Sequence, residues 1–395
     1  MMKYTGVTAR GILTPIFQEG DDLVTLIVDS LLRAAEQENF LLNDRDIIGV
    51  TEAVLGRTQG NYATCSQIAS DLTGKLGGRT IGVVFPIMSR NRFAPLLKAV
   101  SMSAEKVYVQ FSYPADEVGN RLIDWEQFDQ SGINPYSDHM NESEFRAIFD
   151  QDATRHLFTG VDYIEHYKEQ GNNIEVIFSN DPTHILRYTK NVLICDVHAR
   201  NRTRRLIKQA GGERVFGLDQ ILTRSVDGSG YNPEFGLLGS NKATEDKVKL
   251  FPRDAQLFVD DLAEQLLQRT GKHIEVMIYG DGCFKDPIGG IWELADPVVS
   301  PAYTPGLEGT PNELKIKYFA DNEFSDLKGE ELAQAVRERI RNKDTDLVGS
   351  MASQGTTPRR ITDLVGSLCD LVSGSGDRGT PVVLIQGYFT NFATI

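Results

Sequence analysis

Residues 252–282 constrain the fold more than any other stretch of this chain. Pro252 and Asp254 offer helix start signals, and Phe258, Leu262 and Leu266 recur at helical spacing. Gly271 suits the position just past a helix end. Ile274-Glu-Val-Met-Ile-Tyr-Gly-Asp-Gly then reads as a buried strand ending on an acidic residue, Asp281, with glycine after it. In open α/β sheets, ligands gather at the carboxyl ends of strands. A carboxylate at such an end can hold a divalent cation that carries a phosphate. The plain alternative is a solvated Asp in a Gly-Asp-Gly turn. Asp286 faces the same choice, between a second ligand and a loop cap.

The rest of the chain divides into three blocks: 1–85, 86–215 and 216–395. In the first, Gly20-Asp-Asp offers a cap for an amphipathic helix through Leu23, Ile27, Leu31 and Ala34. A strand at 46–51, a glycine-punctuated turn through Gly56 and Gly60, a helix near 65–76 and a strand at 80–85 follow. The second block has strands at 107–111, 174–178 and 192–197, with a helix at 202–210, and reads as an inserted α/β subdomain. The third block holds the Asp281 unit and Pro-rich loops at 296–311. A strand at 313–319, a charged helix at 329–341, an amphipathic helix at 361–372 and a final strand at 381–387 complete it. Alternating helices and strands predict an α/β fold, or α+β with mixed strand directions.

Composition removes several classes of function. The net charge of −14 argues against a nucleic-acid surface, which needs clustered Lys and Arg. It leaves room for a metal-bridged nucleotide. Cys65, Cys195, Cys283 and Cys369 are scattered, with no CxxC pair, so neither a zinc knuckle nor a redox pair is expected. They read as reduced thiols of a cytoplasmic protein. The start lacks a signal-peptide pattern, and no apolar run reaches membrane-spanning length.

Other segments carry weaker chemistry. Asp196-Val-His198 places two potential ligands on one face of an extended segment, with His184 as a helper in sequence. The loop Asn232-Pro-Glu-Phe-Gly-Leu-Leu-Gly-Ser-Asn241 can offer backbone amides to a phosphate, although it lacks the Lys of a P-loop. Ser373-Gly-Ser-Gly-Asp-Arg-Gly is a phosphate loop or a connector. Arg57, Arg90/Arg92 and Arg202/Arg204/Arg205 can pair with phosphate or serve as surface charge. The usual elbow, zincin and dinucleotide motifs do not occur, so serine hydrolysis, zinc proteolysis and dinucleotide binding lack their signals.

Four collinear segments resemble the coenzyme F420-0:L-glutamate ligase (γ-glutamyl ligase) family. They are Gly11-Ile-Leu-Thr…Glu19-Gly-Asp-Asp-Leu23, Ile48-Gly-Val-Thr-Glu-Ala-Val-Leu-Gly-Arg57-Thr-Gln-Gly60, Gly236–Asp281 with its Ser240-Asn241 and Leu250-Phe-Pro-Arg-Asp254, and Ile361–Gly387. The resemblance covers about 8–85 and 230–390, and the block between looks inserted. It implies GTP-dependent (or ATP-dependent) amide formation, in which a small-molecule carboxylate is phosphorylated and then captured by the amine of L-glutamate. It implies Mg²⁺ or Mn²⁺, because the transferring phosphoryl group is densely charged, and a homodimer with a mixed α/β fold. On this resemblance Asp281 is a metal ligand, Ser240 and Asn241 lie at the nucleotide phosphates, and Gly11, Ile12, Leu13, Thr14 and Arg57 line the nucleotide site.

The chain also departs from that pattern. The family's metal-binding Asp in Asp-x-Ser-Asn falls on Leu238, the residue after the second metal Asp is Gly282, and the strand-turn Ser and Lys are Gly56 and Arg57. Glu234, Asp227, Asp196 or His198 are the candidates to replace the missing carboxylate. Three expectations follow: a metal- and nucleotide-dependent ligase, a non-catalytic ligase-like binding or regulatory protein, and a metal-dependent hydrolase at Asp196 and His198. The first requires a further carboxylate close to Asp281.

Overall fold

A computed structural model describes residues 5–155, 160–281, 298–347, 349–353, 359–373 and 377–394; the side chains of 281 and 298–300 are not described. Among these residues fourteen strands are formed. In chain order they are β1 (Thr8–Ile12), β2 (Ile47–Thr51), β3 (Tyr62–Thr64), β4 (Thr80–Val84), β5 (Lys106–Phe111), β6 (Met140–Asn141) and β7 (Ile174–Phe178). Then come β8 (Asn191–Ile194), β9 (Arg214–Gly217), β10 (Asn241–Thr244), β11 (Lys247–Lys249), β12 (Glu275–Asp281), β13 (Val298–Tyr303) and β14 (Val382–Gln386).

The strands make three sheets. The first is five-stranded, ordered β1-β14-β2-β12-β13. Its β2 and β12 run parallel, while β14 is antiparallel to both β1 and β2. Side chains alternate across it, as the two-residue strand period demands. Ile48, Val50, Val276, Ile278, Val382 and Leu384 face the helices Leu23–Gln37 and Ala255–Thr270. Ile47, Met277, Tyr279, Val383 and Ile385 face the helix Ile361–Ser373. The sheet is thus covered on both faces, which is why its strands read as continuous apolar runs.

The long helices follow their sequence signals. Leu23, Ile27 and Leu31 are buried, and Asp22 caps their helix by accepting from Thr25 N at 3.2 Å. Thr64 and Gln67 form a reciprocal capping box that starts the helix Cys65–Leu76. Gly271, at φ +66°, ends the helix before β12.

The six-stranded sheet, β6-β7-β5-β4-β8-β9, holds five parallel strands and the antiparallel edge β6. The chain builds β4, β5 and β7 outward, then returns to add β8 and β9 on the other side of β4. Residues 80–84, at the end of the first sequence block, form the strand from which this sheet grows in both directions. The third sheet is the small antiparallel set β10-β11-β3.

Two local expectations are corrected. Residues 52–58 form a helix, Glu52–Thr58, instead of a glycine-punctuated turn. Gly56 fits there because a Cβ would lie 3.1 Å from the Leu250 carbonyl oxygen. The strand expected at 313–319 is instead extended chain followed by the helix Ile316–Asp321, whose buried Phe319 packs on Tyr318 and Phe324. Its apolar residues satisfy helical spacing as well as alternation.

Candidate active site

Strand directions bring the carboxyl ends of β1, β2 and β12 and the amino end of β14 to one edge of the five-stranded sheet. Ile12 pairs with Val382, Val382 with Val50, and Thr51 with Tyr279. Thr51 N donates to Pro381 O at 3.0 Å. A cavity of about 410 Å³ opens there, with Thr14, Thr51, Glu52, Arg57, Tyr279 and Thr380 in its wall, together with Asn241 and Lys249 from the β10–β11 hairpin. A second cavity of about 530 Å³ shares Arg57, Asn241 and Lys249 and adds Glu19, Lys242 and Lys247. Both volumes suit a small-molecule ligand.

The second cavity is positively charged in a chain whose net charge is −14. Arg57, Lys242, Lys247 and Lys249 line it against Glu19 alone among the described residues. Arg57 also fixes the segment before the first helix, donating through Nε to Phe17 O at 2.7 Å. Lys242 pairs with the exposed Glu245 at 2.6 Å, and Lys247 lies 4.8 Å from the Tyr62 ring centre. Lys249 is held differently. Its Nζ lies 3.5 Å from Glu52 Oε1, and both side chains are largely buried, with exposures of 16% and 5%.

Glu52 follows β2 directly and crosses over Gly280. A Cβ on Gly280 would sit 2.0 Å from Glu52 Cγ, so only glycine leaves room for it. A carboxylate therefore stands beside the strand end that carries Asp281. The sequence signal was its place at the carboxyl end of a buried strand; Lys249 had no comparable signal. Neither residue was among those expected to form the site.

The expected site residues divide into groups. Thr14, Arg57 and Asn241 line the cavity. Gly11 and Ile12 lie in β1 and set the path to Thr14; Ile12 is buried in the core, and Leu13 is exposed. Ser240 is buried, and its Oγ has no hydrogen-bond partner among the described residues. Glu234 is exposed, with its backbone N donating to Asn232 Oδ1, and lies outside both linings. Asp281 closes β12, but its side chain is not described; Asp286 and Gly282 lie outside the described residues. Ser373 and Gly379, the two ends of the segment expected to bind phosphate or connect, line the cavity, as does Thr380 after it.

Leu238 is 1% exposed and packs in the large apolar core with Leu237, Val248 and Leu250. The loop turns this position inward, so it is a core residue and not an empty ligand position. No group of three or more His, Cys, Asp or Glu side chains that could hold a metal ion occurs among the described residues.

The segment around Asp196 and His198 has a different use. Glu117 accepts hydrogen bonds from Val197 N and from His198 N, the latter at 3.1 Å. Burial pushes its carboxyl up to about 7, helped by neighbouring Asp196. Asp196 accepts from Thr203 Oγ1 at 2.7 Å, and burial pushes it up to about 6. His184 stacks on His139 with ring centres 4.1 Å apart, and burial draws it down to about 4.

A family model for F420-0:gamma-glutamyl ligase matches residues 11–387, nearly the whole chain. The chain belongs to that family. The match runs through the six-stranded sheet as well as the segments around the cavity, and it makes the chain a member of a family of ligases with a mixed α/β fold. No curated protein matches the chain. Among the described residues, no helix is long and apolar enough to cross a membrane.

Proposed function

We propose that this chain is a nucleotide-dependent amide ligase that joins L-glutamate, or a similar amino acid, to a small-molecule carboxylate. The observation that carries the reading is convergence. Thr14, Arg57, Asn241 and the end of β12 come from distant segments of a ligase-family chain and meet at one cavity with a cationic annex. Uncharged substrates gain nothing from such an annex, whereas a nucleoside triphosphate, GTP or ATP, and an anionic acceptor do.

In the proposed reaction an acceptor carboxylate oxygen attacks the terminal phosphorus, and the bond to the nucleoside diphosphate breaks. The amine nitrogen of glutamate then attacks the acyl carbon, expelling inorganic phosphate and releasing a proton. Arg57 and Lys249 counter the charge of the transferring group, and Asn241 orients it. Mg²⁺ or Mn²⁺ would supply further charge neutralisation, with Asp281 the carboxylate that the family resemblance implies for it. A cytoplasmic homodimer is the assembly this reading expects.

The hydroxyl side chains lost at Gly56 and Gly282 favour a second reading, a ligase-like protein that binds nucleotide without turnover. One experiment separates the two. GTP and ATP are titrated calorimetrically into wild type and Arg57→Ala with and without Mn²⁺, and phosphate release is followed with L-glutamate and a panel of small carboxylic acids. Binding weakened in the variant, with amine-dependent phosphate release, supports the ligase. Binding without release under every acceptor tried supports the second reading. Failure of the wild type to bind either nucleotide refutes both.

A further inference from the structure

The six-stranded sheet lies apart from the ligase cavity, yet its topology marks a place for a ligand of its own. Without the antiparallel edge β6, the order is β7-β5-β4-β8-β9, all parallel, with β4 first in the chain. The helix Phe93–Met102, which follows β4, packs on one face with Ile81, Val83 and Leu193. The helix Arg200–Gln209, which follows β8, sends Ile207 to the other face, among Val84, Val192 and Ile194. The chain thus leaves β4 and β8 towards opposite faces, and the carboxyl ends of two such strands are where an open α/β sheet forms its ligand crevice.

Charged side chains from three strand ends meet there. Glu117, in the loop after β5, accepts from Val197 N and His198 N in the turn after β8. Asp219, after β9, accepts from Arg204 Nη2 at 2.7 Å and lies 3.5 Å from Arg200 Nε. Asp196, just past the end of β8, is 2% exposed. Its Oδ2 accepts from Thr203, while its Oδ1 has no hydrogen-bond partner among the described residues. The Nε atoms of Arg200 and Arg204 are buried without a hydrogen bond as well. Both arginines favour the charged form of Asp196, which in turn raises Glu117, so the four groups share one locality. Buried polar atoms left open carry the desolvation cost of the group, and a ligand with complementary groups recovers it.

We propose that this crevice binds an α-amino acid, its ammonium donating to Asp196 and its carboxylate accepting from Arg200 and Arg204. A carboxylate suits the site better than a phosphate, because the two backbone amides that would cradle a phosphate are already held by Glu117. Guanidinium groups match the planar carboxylate. The ammonium follows from charge: Glu117, Asp196 and Asp219 outnumber Arg200 and Arg204 by one. None of these residues lines the ligase cavity or its annex, so the inference stands apart from the ligase reading.

The test is calorimetric titration of each protein amino acid, with L-lactate and L-malate as analogues bearing hydroxyl in place of ammonium. The proteins are wild type, Asp196→Asn, Arg200→Lys and Arg57→Ala, at about pH 8, where Asp196 carries its charge. Wild type is expected to bind at least one amino acid, and the hydroxy acids at least about tenfold more weakly. Asp196→Asn keeps the shape and the acceptor for Thr203; it is expected to lose about tenfold for the amino acid and to narrow the gap to the hydroxy acids. Arg200→Lys keeps the charge without the fork and is expected to lose about threefold or more. Arg57→Ala, altered in the ligase cavity, is expected to bind as wild type does. Urea midpoints show which variants are folded; if Asp196→Asn is not, wild type and Arg200→Lys decide. Wild type that binds no amino acid overturns the proposal, as does equal binding of the hydroxy acids or an unchanged affinity in Asp196→Asn. Binding lost in Arg57→Ala and kept in Asp196→Asn assigns the amino acid to the ligase cavity and overturns it too, while leaving the ligase reading intact.

Discussion

Replacing Leu238 by aspartate tests the reading of the 232–241 loop most directly. If the position were a ligand site that had lost its carboxylate, Leu238→Asp would restore metal binding at little cost. The structure predicts the reverse. Leu238 is 1% exposed and packed among Leu237, Val248 and Leu250. Losing the burial of one leucine side chain costs about 1.5–3 kcal/mol. Burying a carboxyl group without a hydrogen-bond partner adds roughly 1–3 kcal/mol, even when it stays protonated. The expected loss is therefore about 4 kcal/mol, similar to or larger than the roughly 2–5 kcal/mol expected for Leu238→Ala. Equilibrium urea unfolding followed by intrinsic fluorescence measures it, and calorimetric titration with Mn²⁺ on the same variant measures metal affinity. A Leu238→Asp protein within about 1 kcal/mol of wild type that also binds Mn²⁺ more tightly would refute the reasoning. It would mean that position 238 faces the cavity.

Two further outcomes follow from the packing and the buried acids. Gly280→Ala places a Cβ 2.0 Å from Glu52 Cγ, so it is expected to destabilise by roughly 1–3 kcal/mol as an overpacked site; an unchanged urea midpoint would contradict the close approach. Glu117, raised to about 7 from 4.5, and Asp196, raised to about 6 from 3.8, both bind protons more tightly folded than unfolded, so their contribution is complete at low pH and is lost as pH rises through about 4 to 7; Glu117→Gln should flatten that fall in the urea midpoint between pH 4.5 and 7, and an unaltered slope would count against it.

Much of the fold was legible because its strongest signals are local. The helix Ala255–Thr270, its Gly271 terminus and β12 follow from residue spacing and one left-handed glycine. The central strands are apolar on both faces, and such runs announce themselves. What failed was local ambiguity. Residues 52–58 contain Gly56 and the β-branched Val54 and Thr58, poor helix formers, yet they are helical because the segment packs against Leu250 and against the end of β12. Residues 313–319 carry apolar positions compatible with either period.

The site was legible in outline and opaque in its charge. Thr14, Arg57 and Asn241 could be placed because each lies in a segment that resembles the ligase family. Glu52 and Lys249 could not be paired, because 197 positions separate them and only the sheet registers join them. The same registers explain why the departure at Leu238 misleads. Read along the sequence, it removes a ligand; read in the fold, the loop's apolar residue sits in the core, Ser240 is buried beside it in sequence, and Asn241 lines the cavity. The β10–β11 hairpin brings Asn241 and Lys249 to the cavity wall beside Glu52, a juxtaposition that no local pattern along the chain announces.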